Sequence, residues 1–258
     1  MSTSFAELDR FSAVSLAELV SEAELLTRVD RKYLVPIRTA RELLAGLADA
    51  TRVLEIGASR AFAYDSVYFD TPDRLSYHLT AQRRRRRFKL RTRRYLDTGG
   101  AFLEVKTKGG RGTTVKRRLP IDAVDRARLT GEGAAFAREV LAGNAVDPAV
   151  VDALRPVLTS GYRRATLLMA GGSRATIDTE LCWDDGGREL ELDGFAIIES
   201  KSAGGASELD RALWARGHRP SGISKFGTGT AALHPELPSN KWARVLGSEG
   251  FLERVTVA

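Results

Sequence analysis

Charged and apolar residues alternate along several short stretches of this chain, which is the period-two pattern of β-strands. In residues 87–95 (RFKLRTRRY), basic side chains occupy every second position from Arg87 to Arg93. A strand over these residues would therefore carry four cations on one face. The same alternation recurs at Glu104, Lys106 and Lys108, at Lys116 and Arg118, and at Glu199 and Lys201. Several strands with one basic face predict a sheet that curls around a polyanion.

The remaining pattern predicts antiparallel strands mixed with helices. Hairpin signals such as Asp97 to Gly100 join neighbouring strands, so we expect an α+β fold in which an antiparallel β-barrel forms a tunnel and helices pack outside it. Thr39 and Ser207 are expected to cap helices, and Gly131 to Gly133 to form a turn. Strands are predicted over residues 28–35, 62–69, 87–95, 101–108, 113–119, 162–169, 173–180, 188–192 and 194–201. Helices are predicted over residues 15–27, 39–47, 73–81, parts of 122–154, 207–217 and from 227 onward.

The overall composition indicates which kinds of partner the chain can bind. It has 258 residues, a formal net charge of +7 and a pI of about 9.7, which favours anionic ligands. The single cysteine, Cys182, fits a reducing compartment and excludes an internal disulfide. The start of the chain has no signal-peptide pattern, and no stretch approaches the ~18 apolar residues of a spanning helix. We expect a cytoplasmic protein whose association with a membrane would require a membrane-protein partner encoded separately.

This density of basic residues points to phosphate chemistry. Arginine keeps its charge and can donate two bonds to one phosphate, and lysine supplies a compact point charge. A carboxylate within such a field would serve mainly to hold Mg²⁺ or Mn²⁺. Because like charges are costly to bury in a dry core, the interior of the barrel should be wet or filled by an anion. The residues alone therefore predict a polyphosphate-like ligand and a divalent metal.

The order of the charged strands resembles that of one known family. The successive motifs are RVDRKYLV (28–35), YFDT (68–71), RFKLRTRRY (87–95), FLEVKTK (102–108), GYRRATL (161–167), RATIDTEL (174–181), AIIESK (196–201) and SKF (224–226). They are similar to the strand motifs of the VTC-type polyphosphate polymerase domain. That domain is the catalytic part of the vacuolar transporter chaperone complex and a triphosphate tunnel metalloenzyme of the CYTH-like superfamily. The resemblance covers residues 20–235, which leaves an N-terminal extension over 1–19 and a C-terminal tail over 236–258.

The resemblance implies a role for each matched residue. Glu199 would hold the divalent metal, Asp178 would be a second metal contact, and Glu104 would support the metal and organise neighbouring cations. The cations that would line the tunnel and carry the reaction are Lys32, Arg91, Arg93, Lys106, Arg164, Arg174 and Lys225. Further phosphate ligands would be Lys116, Tyr162 and Ser224. The alternation of the strands adds three phosphate-binding residues, Lys89, Arg118 and Lys201.

The first strand departs from the wider superfamily. The hydrolases and adenylate cyclases of that superfamily often begin with an ExExK motif, whereas Arg28 and Asp30 precede Lys32 here. The loss of the first glutamate is similar to the polymerase branch. We therefore expect metal-dependent phosphoryl transfer from ATP to a growing inorganic polyphosphate chain, in which the cations neutralise developing charge. The terminal oxygen of the acceptor is already anionic, so a strong general base is unnecessary.

Three other functions also fit the residues. A hydrolase of inorganic or organic triphosphate would use the same tunnel and release orthophosphate without polymer. A non-catalytic module would bind polyphosphate without turnover. A nucleic-acid binder would use the run Arg83 to Arg86, which we expect to be exposed to solvent. Nucleic acid is the partner we do not expect, because Trp183, Trp214 and Trp242 show no stacking pattern.

Overall fold

The computed structural model describes residues 5–22, 29–108, 114–251 and 255–257. None of the helices in these ranges is long and apolar enough to span a membrane. The strands are β1 (Ser12–Val14), β2 (Val29–Pro36), β3 (Arg52–Leu54), β4 (Ala61–Asp70), β5 (Phe88–Tyr95), β6 (Ala101–Lys108), β7 (Thr114–Pro120), β8 (Arg155–Leu168), β9 (Arg174–Asp184), β10 (Arg188–Leu192), β11 (Phe195–Ser202) and β12 (Val255–Val257). The α-helices are α1 (Leu16–Glu22), α2 (Ile37–Ala45), α3 (Leu75–Ala81), α4 (Gly131–Ala142), α5 (Glu208–Ala215), α6 (Lys225–Leu233) and α7 (Ala243–Leu246). Short 3₁₀ helices cover Ala6–Arg10, Ala123–Ala127, Pro148–Ala153, Ala170–Gly172 and Asn240–Trp242.

The strands form one sheet that is antiparallel except for the pairing of β1 with β3. Its main path runs β10, β9, β8, β4, β5, β6, β7, with β12 on the outer edge of β10. Strand β9 has two neighbours on one edge, because residues 174–178 pair with β11 and residues 181–184 pair with β10. β2 follows on the far side of β11. This arrangement confirms the predicted α+β class with a largely antiparallel sheet.

The sheet curls so that its distant strands meet around one cavity. β2 and β7 lie at opposite ends of the path through β11, β9, β8, β4, β5 and β6, yet Lys32 of β2 and Lys116 of β7 line the same cavity. In the part of the chain that the structure describes, no ladder joins β2 to β7. The sheet is therefore a curled tunnel wall and not a fully hydrogen-bonded barrel.

Helices cover the outer, apolar face of this wall. On β5, Leu90 belongs to the buried cluster of α4, whereas its neighbours Lys89 and Arg91 line the cavity. Leu43 of α2 and Leu213 of α5 are buried in the cluster formed with β2, β9 and β11. The period-two alternation thus sends apolar side chains outward to the helices and charged ones inward.

Both ends of the described chain take part in the core. The residues before β1 include Phe5, Leu8 and Phe11, which are buried in the cluster that contains α2. Trp242 and Phe251 follow α6 and are buried in the cluster beneath that helix. The first and last elements therefore help to hold the helices against the sheet.

Where elements differ from the predictions, local causes are visible. Helix α2 begins at Ile37 and not at Thr39, because the fixed φ of Pro36 suits the entry to a helix. Gly131 to Gly133 form the first turn of α4 and not a loop, since the Thr130 hydroxyl accepts from the Gly133 N–H at 3.1 Å. Ser207 caps α5 in a complete capping box, as predicted.

Strand lengths explain the remaining differences. β8 begins at Arg155, seven residues before the predicted start at residue 162, because it pairs with β4 along this whole segment. Three strands of three residues, β1, β3 and β12, were not predicted, since so short a segment shows no alternation. The ends of three predicted elements lie outside the described residues, namely residues 23–27 of the first helix, residue 28 of the first strand and residue 113 of the strand predicted over 113–119.

Candidate functional site

A cavity of about 450 Å³ lies inside the curled sheet and is lined mainly by charged side chains. Strands β2, β5, β6, β7, β8 and β11 supply most of the lining, and α6 contributes its first residues. Among the described residues, twelve lysines and arginines share this space with three carboxylates, Asp30, Glu104 and Glu199. The cations are Lys32, Arg87, Lys89, Arg91, Arg93, Lys106, Lys108, Lys116, Arg164, Lys201, Lys225 and Lys241.

Strand register places like charges side by side on this inner face. Lys89 of β5 lies opposite Lys106 of β6, which in turn lies opposite Lys116 of β7. Directly opposed like charges destabilise a sheet. Of these three lysines, Lys116 is relieved by Glu104, whose Oε1 lies 2.5 Å from its Nζ. The row therefore carries an excess of positive charge that an anion would relieve.

Lys89 and Lys106 show this excess most clearly. Lys106 is open to the cavity, but the protein around it displaces bulk water, and this desolvation lowers its pKa to about 8, with the positive charge of Lys32 adding to the effect. Burial also lowers the pKa of Lys89, with Lys106 as the nearest unfavourable charge. The Nζ of Lys89 donates to Ser224 Oγ at 2.9 Å, which is a neutral partner. A bound phosphate would raise both pKa values, because an adjacent negative charge favours the protonated amine.

Glu104 fixes the orientation of Arg91 on the neighbouring strand. Its Oε2 accepts hydrogen bonds from Nε and Nη2 of Arg91 at 2.8 and 2.6 Å, and Tyr68 Oη accepts from Nη1 at 3.1 Å. Burial alone would raise the pKa of Glu104, but Arg91, Arg93 and Lys116 outweigh it and lower the pKa below its usual range. The carboxylate is therefore ionised, and Arg91 is held in one position.

Asp178 plays the same part for Arg164 and Lys225. It accepts from Nε and Nη2 of Arg164 at 2.6 and 2.7 Å and forms an ion pair with Lys225 at the start of α6. Burial would raise the pKa of Asp178, but these two cations lower it well below its usual range. Burial lowers the pKa of Lys225 to about 8 in spite of this carboxylate. Asp178 thus holds two cavity cations from behind and does not itself line the cavity.

Glu199 is the carboxylate best placed to hold a divalent metal. Its Oε1 lies 3.1 Å from Lys32 Nζ and 3.8 Å from Lys201 Nζ, and its side chain is 14% exposed. Burial would raise the pKa of Glu199, but Lys32, Lys201 and Arg164 outweigh it and lower the pKa to about 2. The ionised carboxylate is thus available at neutral pH.

The donor set fits a metal that arrives with phosphate. Within the described ranges, no group of three or more His, Cys, Asp or Glu side chains could form an all-protein site. Mg²⁺ commonly binds through one or two carboxylates and completes its shell with substrate phosphates and water. Glu199 meets that requirement, whereas both oxygens of Glu104 and of Asp178 contact cations.

An aromatic wall backs the deep part of the cavity. The rings of Tyr64 and Tyr162 stack, and the guanidinium groups of Arg93 and Arg164 lie 5.2 to 5.7 Å from the two ring centroids. Lys225 Nζ lies 4.1 Å from the centroid of Tyr162. Burial raises the pKa of Tyr64 to about 12, so its phenol is neutral. The wall therefore offers ring faces to three cations without adding charge.

The structure brings most of the predicted site residues together. The alternating cations Arg87 to Arg93 line the cavity as predicted, and Arg83 to Arg86 are exposed as predicted. Arg118 is exposed and lies 4.9 Å from the Phe102 ring, and Arg174 donates to the Leu19 carbonyl at 2.6 Å. These two arginines do not line the cavity, and neither does the buried Tyr162, so the roles of all three in phosphate binding stay predictions without geometric support. Those that do line it are Lys32, Lys89, Arg91, Arg93, Lys106, Lys116, Arg164, Lys201, Ser224, Lys225, Glu104 and Glu199.

Sequence reasoning missed several lining residues. Tyr68 of β4 and Phe226 of α6 carry no charge that would mark them in the sequence, yet both line the cavity, and their rings stack with centroids 5.2 Å apart. Lys241 lies in the weakly patterned tail, and its Nζ donates to the Thr80 carbonyl at 2.8 Å. No periodicity marks Lys241, because its position depends on contacts between distant parts of the chain.

A curled sheet around a cation-lined cavity is typical of the triphosphate tunnel class of proteins. Within that class, the profile of the VTC domain matches residues 27–234, and the chain belongs to the VTC domain family. A comparison with curated proteins found no match.

Solved structures with related folds differ widely in sequence. HpAC1 from Hippeastrum, an adenylyl cyclase candidate described as having a dominant triphosphatase activity, is 17% identical. That alignment covers 80% of this chain and 96% of HpAC1, with a TM-score of 0.49. The PH1819 protein from Pyrococcus horikoshii OT3 is 16% identical, and the alignment covers 78% of this chain and 95% of that protein, with a TM-score of 0.43.

Proposed function

We propose that this chain transfers phosphoryl groups from ATP to a growing inorganic polyphosphate chain in its cavity. The observation that carries the proposal is the charge of the cavity, in which twelve cations are set against three carboxylates. Such an imbalance is stable only when anions occupy the space or water fills it. Membership of the VTC domain family supports phosphate chains as the anion.

The residues divide into cations that contact phosphate and groups that hold those cations in place. Arg91 and Arg164 are held by Glu104 and Asp178, so their remaining N–H groups are already directed when a ligand enters. Fixed donors stabilise charge that develops during transfer without reorganising first. Arg93, Lys89 and Lys106 add positive charge along β5 and β6. Together they would bind the triphosphate of ATP and the end of the acceptor chain.

Glu199 would hold the divalent metal, Mn²⁺ or Mg²⁺. When bound, the metal would supply Lewis-acid neutralisation of phosphate oxygens. Lys32 and Lys201 flank Glu199 and would then be released to bind phosphate oxygens themselves. The acceptor oxygen of a polyphosphate end is anionic, so this chemistry needs no residue to remove a proton.

A triphosphate hydrolase is the second candidate, and Asp30 favours it. Asp30 precedes Lys32 by two residues on β2, lies opposite Lys201 in register and lines the cavity with Glu199. A second carboxylate on this wall could orient an attacking water by accepting its hydrogen bond. In that case the same cations would stabilise the transfer to water.

One assay separates the two reactions. Purified protein is incubated with ATP and Mn²⁺, polymer is stained on a gel, and free phosphate is measured in parallel. Polymer formation supports the polymerase, whereas phosphate release without polymer supports the hydrolase. Lys116→Gln should weaken ATP use in either case, while Arg117→Gln is the matched control, because Arg117 points away to Glu139 at 2.9 Å. Equal loss in both variants would argue against the cavity as the site.

A further inference from the structure

A run of four arginines, Arg83 to Arg86, joins α3 to β5 and is not used by the cavity chemistry. All four residues are exposed, and the run leads directly into Arg87, which lines the cavity. Among the described residues, these side chains make no ion pair with a carboxylate, and Arg84 Nε donates to the neutral Gln82 Oε1 at 3.0 Å. The segment is therefore a concentrated, uncompensated positive charge at the surface.

The run continues a line of cations that begins deep in the cavity. On β5, Arg93 is 7% exposed and the side chain of Arg91 is 23% exposed, and Arg87, directly before β5, is half-buried. Alternate residues of a strand share one face, so Arg93, Arg91, Lys89 and Arg87 form one row. Arg93 at the inner end of this row is buried, Arg91, Lys89 and Arg87 are partly buried, and Arg83 to Arg86 in the loop are exposed. The surface arginines thus extend the row outward from the rim of the cavity.

Backbone hydrogen bonds hold the loop in a defined shape. The N–H groups of Arg83 and Arg84 donate to the carbonyls of Thr80 and Leu79 at 3.2 and 2.9 Å. The Arg87 guanidinium donates in turn to the carbonyl of Arg84 at 2.6 Å. The four side chains therefore project from a segment that is anchored at both ends.

Lys241, from the 3₁₀ helix that follows α6, lies at the same rim. Its Nζ donates to the carbonyl of Thr80, just before the run, at 2.8 Å. Burial lowers the pKa of Lys241 to about 8, and the nearby positive charges of Arg87 and Arg83 contribute. These three basic residues are thus close enough to repel one another in the absence of an anion.

We infer that Arg83 to Arg86, together with Arg87 and Lys241 at the rim, bind the part of a polyphosphate chain that extends outside the cavity. This inference rests on the proposed function for its ligand. A cavity of about 450 Å³ holds only a short piece of a long polymer, so the remainder lies outside the cavity. The arginine run is a positive surface that directly adjoins the rim, because it leads into Arg87 of the cavity lining.

The surroundings of the run favour polyphosphate over nucleic acid. Proteins that bind single strands offer exposed aromatic rings on which bases stack. Here Tyr77 of α3, Phe88 of β5 and Trp242 beside Lys241 are all buried, with 0 to 1% exposure. The run offers charge without stacking surfaces, which suits a polymer made of phosphate alone.

The test compares two ligands and two triple variants. Arg84→Gln, Arg85→Gln and Arg86→Gln are combined, which leaves the left-handed Arg83 unchanged. The control combines Arg38→Gln, Arg211→Gln and Arg216→Gln, three exposed arginines on or beside α2 and α5 that give the same change in net charge. Circular dichroism verifies that both variants fold. Binding of long-chain polyphosphate and of tripolyphosphate is then measured by calorimetry at several salt concentrations.

We expect the first variant to bind long-chain polyphosphate about tenfold more weakly, with the slope of log affinity against log salt reduced by roughly two. Its affinity for tripolyphosphate should be unchanged, as should both affinities of the control. Unchanged long-chain affinity would overturn the inference, and so would an equal loss for tripolyphosphate. Loss of binding to an RNA oligonucleotide with long-chain polyphosphate unaffected would assign the run to nucleic acid instead.

The result of this binding test can be distinguished from the result of the polymerase assay. If the protein forms no polymer from ATP but the variant still loses long-chain affinity selectively, the surface site stands and the polymerase proposal fails. If polymer forms and the variant binds the long chain normally, the polymerase proposal stands and the surface site fails. If the unmodified protein binds neither ligand, both are overturned.

Discussion

Tyr64 and Tyr162 stack face to face, with ring centroids 5.1 Å apart and ring planes within 1° of parallel. The two residues are directly opposite each other on β4 and β8, so the sheet itself sets their distance. Arg93 and Arg164 lie near both rings, at 5.4 and 5.5 Å from the centroid of Tyr64. Tyr64 does not line the cavity, yet it helps to position two cations that do.

Replacing the ring of Tyr64 should therefore weaken triphosphate binding. Tyr64→Leu removes the ring faces beneath Arg93 and Arg164, and we expect the KM for ATP to rise about fivefold to tenfold with a smaller change in kcat. Tyr64→Phe keeps the ring and should restore the KM. A Phe variant as poor as the Leu variant would contradict a positioning role for the ring.

Asp178→Asn should be costly for stability. Arg164 and Lys225, whose side chains are only 16% and 12% exposed, would lose their common carboxylate, and breaking one half of a buried ion pair costs about 3 kcal/mol or more. The free energy of unfolding can be measured by urea titration at pH 7. Asn is close to Asp in size, so a loss below about 1 kcal/mol would mean that the ion pairs contribute little.

The carboxylate of Asp178 should also make the free energy of unfolding depend on pH. Because the folded protein lowers the pKa of Asp178, its contribution is present above the unfolded value of about 3.9 and is lost as the pH falls below it. The unmodified protein should thus lose stability between about pH 4 and pH 2 more steeply than Asp178→Asn. Parallel pH profiles of the two proteins would contradict the lowered pKa.

Triphosphate binding should weaken as the pH rises from 7 to 9. The pKa of Lys106 is near 8 without ligand, and a bound anion would raise it, so the protein must take up a proton to bind at higher pH. Calorimetry in buffers of different ionisation enthalpy measures this uptake. Lys106→Met should take up less at pH 8.5, whereas Arg117→Gln should match the unmodified protein. The ligand takes up the same number of protons in every measurement, so the difference between two variants reports proton uptake by the protein alone.

Glu199→Gln should abolish turnover while sparing the fold. Gln has nearly the same shape but lacks the charge that would hold the metal, so we expect kcat to fall roughly a hundredfold or more. Binding of Mn²⁺ in the presence of a non-hydrolysable ATP analogue, followed by electron paramagnetic resonance, gives a readout independent of activity. Turnover at the unmodified rate would rule out Glu199 as the metal ligand.

Two glycines of α6 should be intolerant of any side chain. A methyl group at Gly227 would overlap the indole of Trp242, and one at Gly229 would overlap that of Trp183, whose Nε1 donates to the Lys225 carbonyl at 2.8 Å. Gly227→Ala should thus displace the start of α6 and cost about 2 kcal/mol of stability as well as activity. Gly205→Ala is the control, because a Cβ there meets nothing within 4 Å. A normal melting temperature for Gly227→Ala would show that the helix can shift freely.

The inward-facing cations could be predicted from sequence because strand alternation is a local property. Arg87 to Arg93 all follow from the geometry of one strand, and the order of such strands pointed to the tunnel class. The alternation shows on which face of its strand a residue lies, but it does not show how far along the sheet the cavity extends. Arg118 shares a face with Glu104 in register, yet it lies beyond the cavity over Phe102.

Residues brought in by distant contacts could not be predicted in this way. Lys241 reaches the rim because the chain after α6 packs against α3, and no pattern near residue 241 encodes that contact. The tyrosine stack depends on the register between β4 and β8, which are separated by about a hundred residues of chain. The weak pattern of residues 238–251 likewise concealed Trp242, which fills the space left by Gly227.

The burial of Phe11 and Trp242 shows that the folded core extends beyond the family match. The family match ends at residues 27 and 234, but Phe11 and Trp242 lie outside it and are 2% and 1% exposed. A protein trimmed to the matched segment would leave their binding surfaces on α2 and α6 open to water. A deletion made at the limits of the family match would therefore cause aggregation or loss of structure. The loss of activity that follows would then be mistaken for the removal of a catalytic residue.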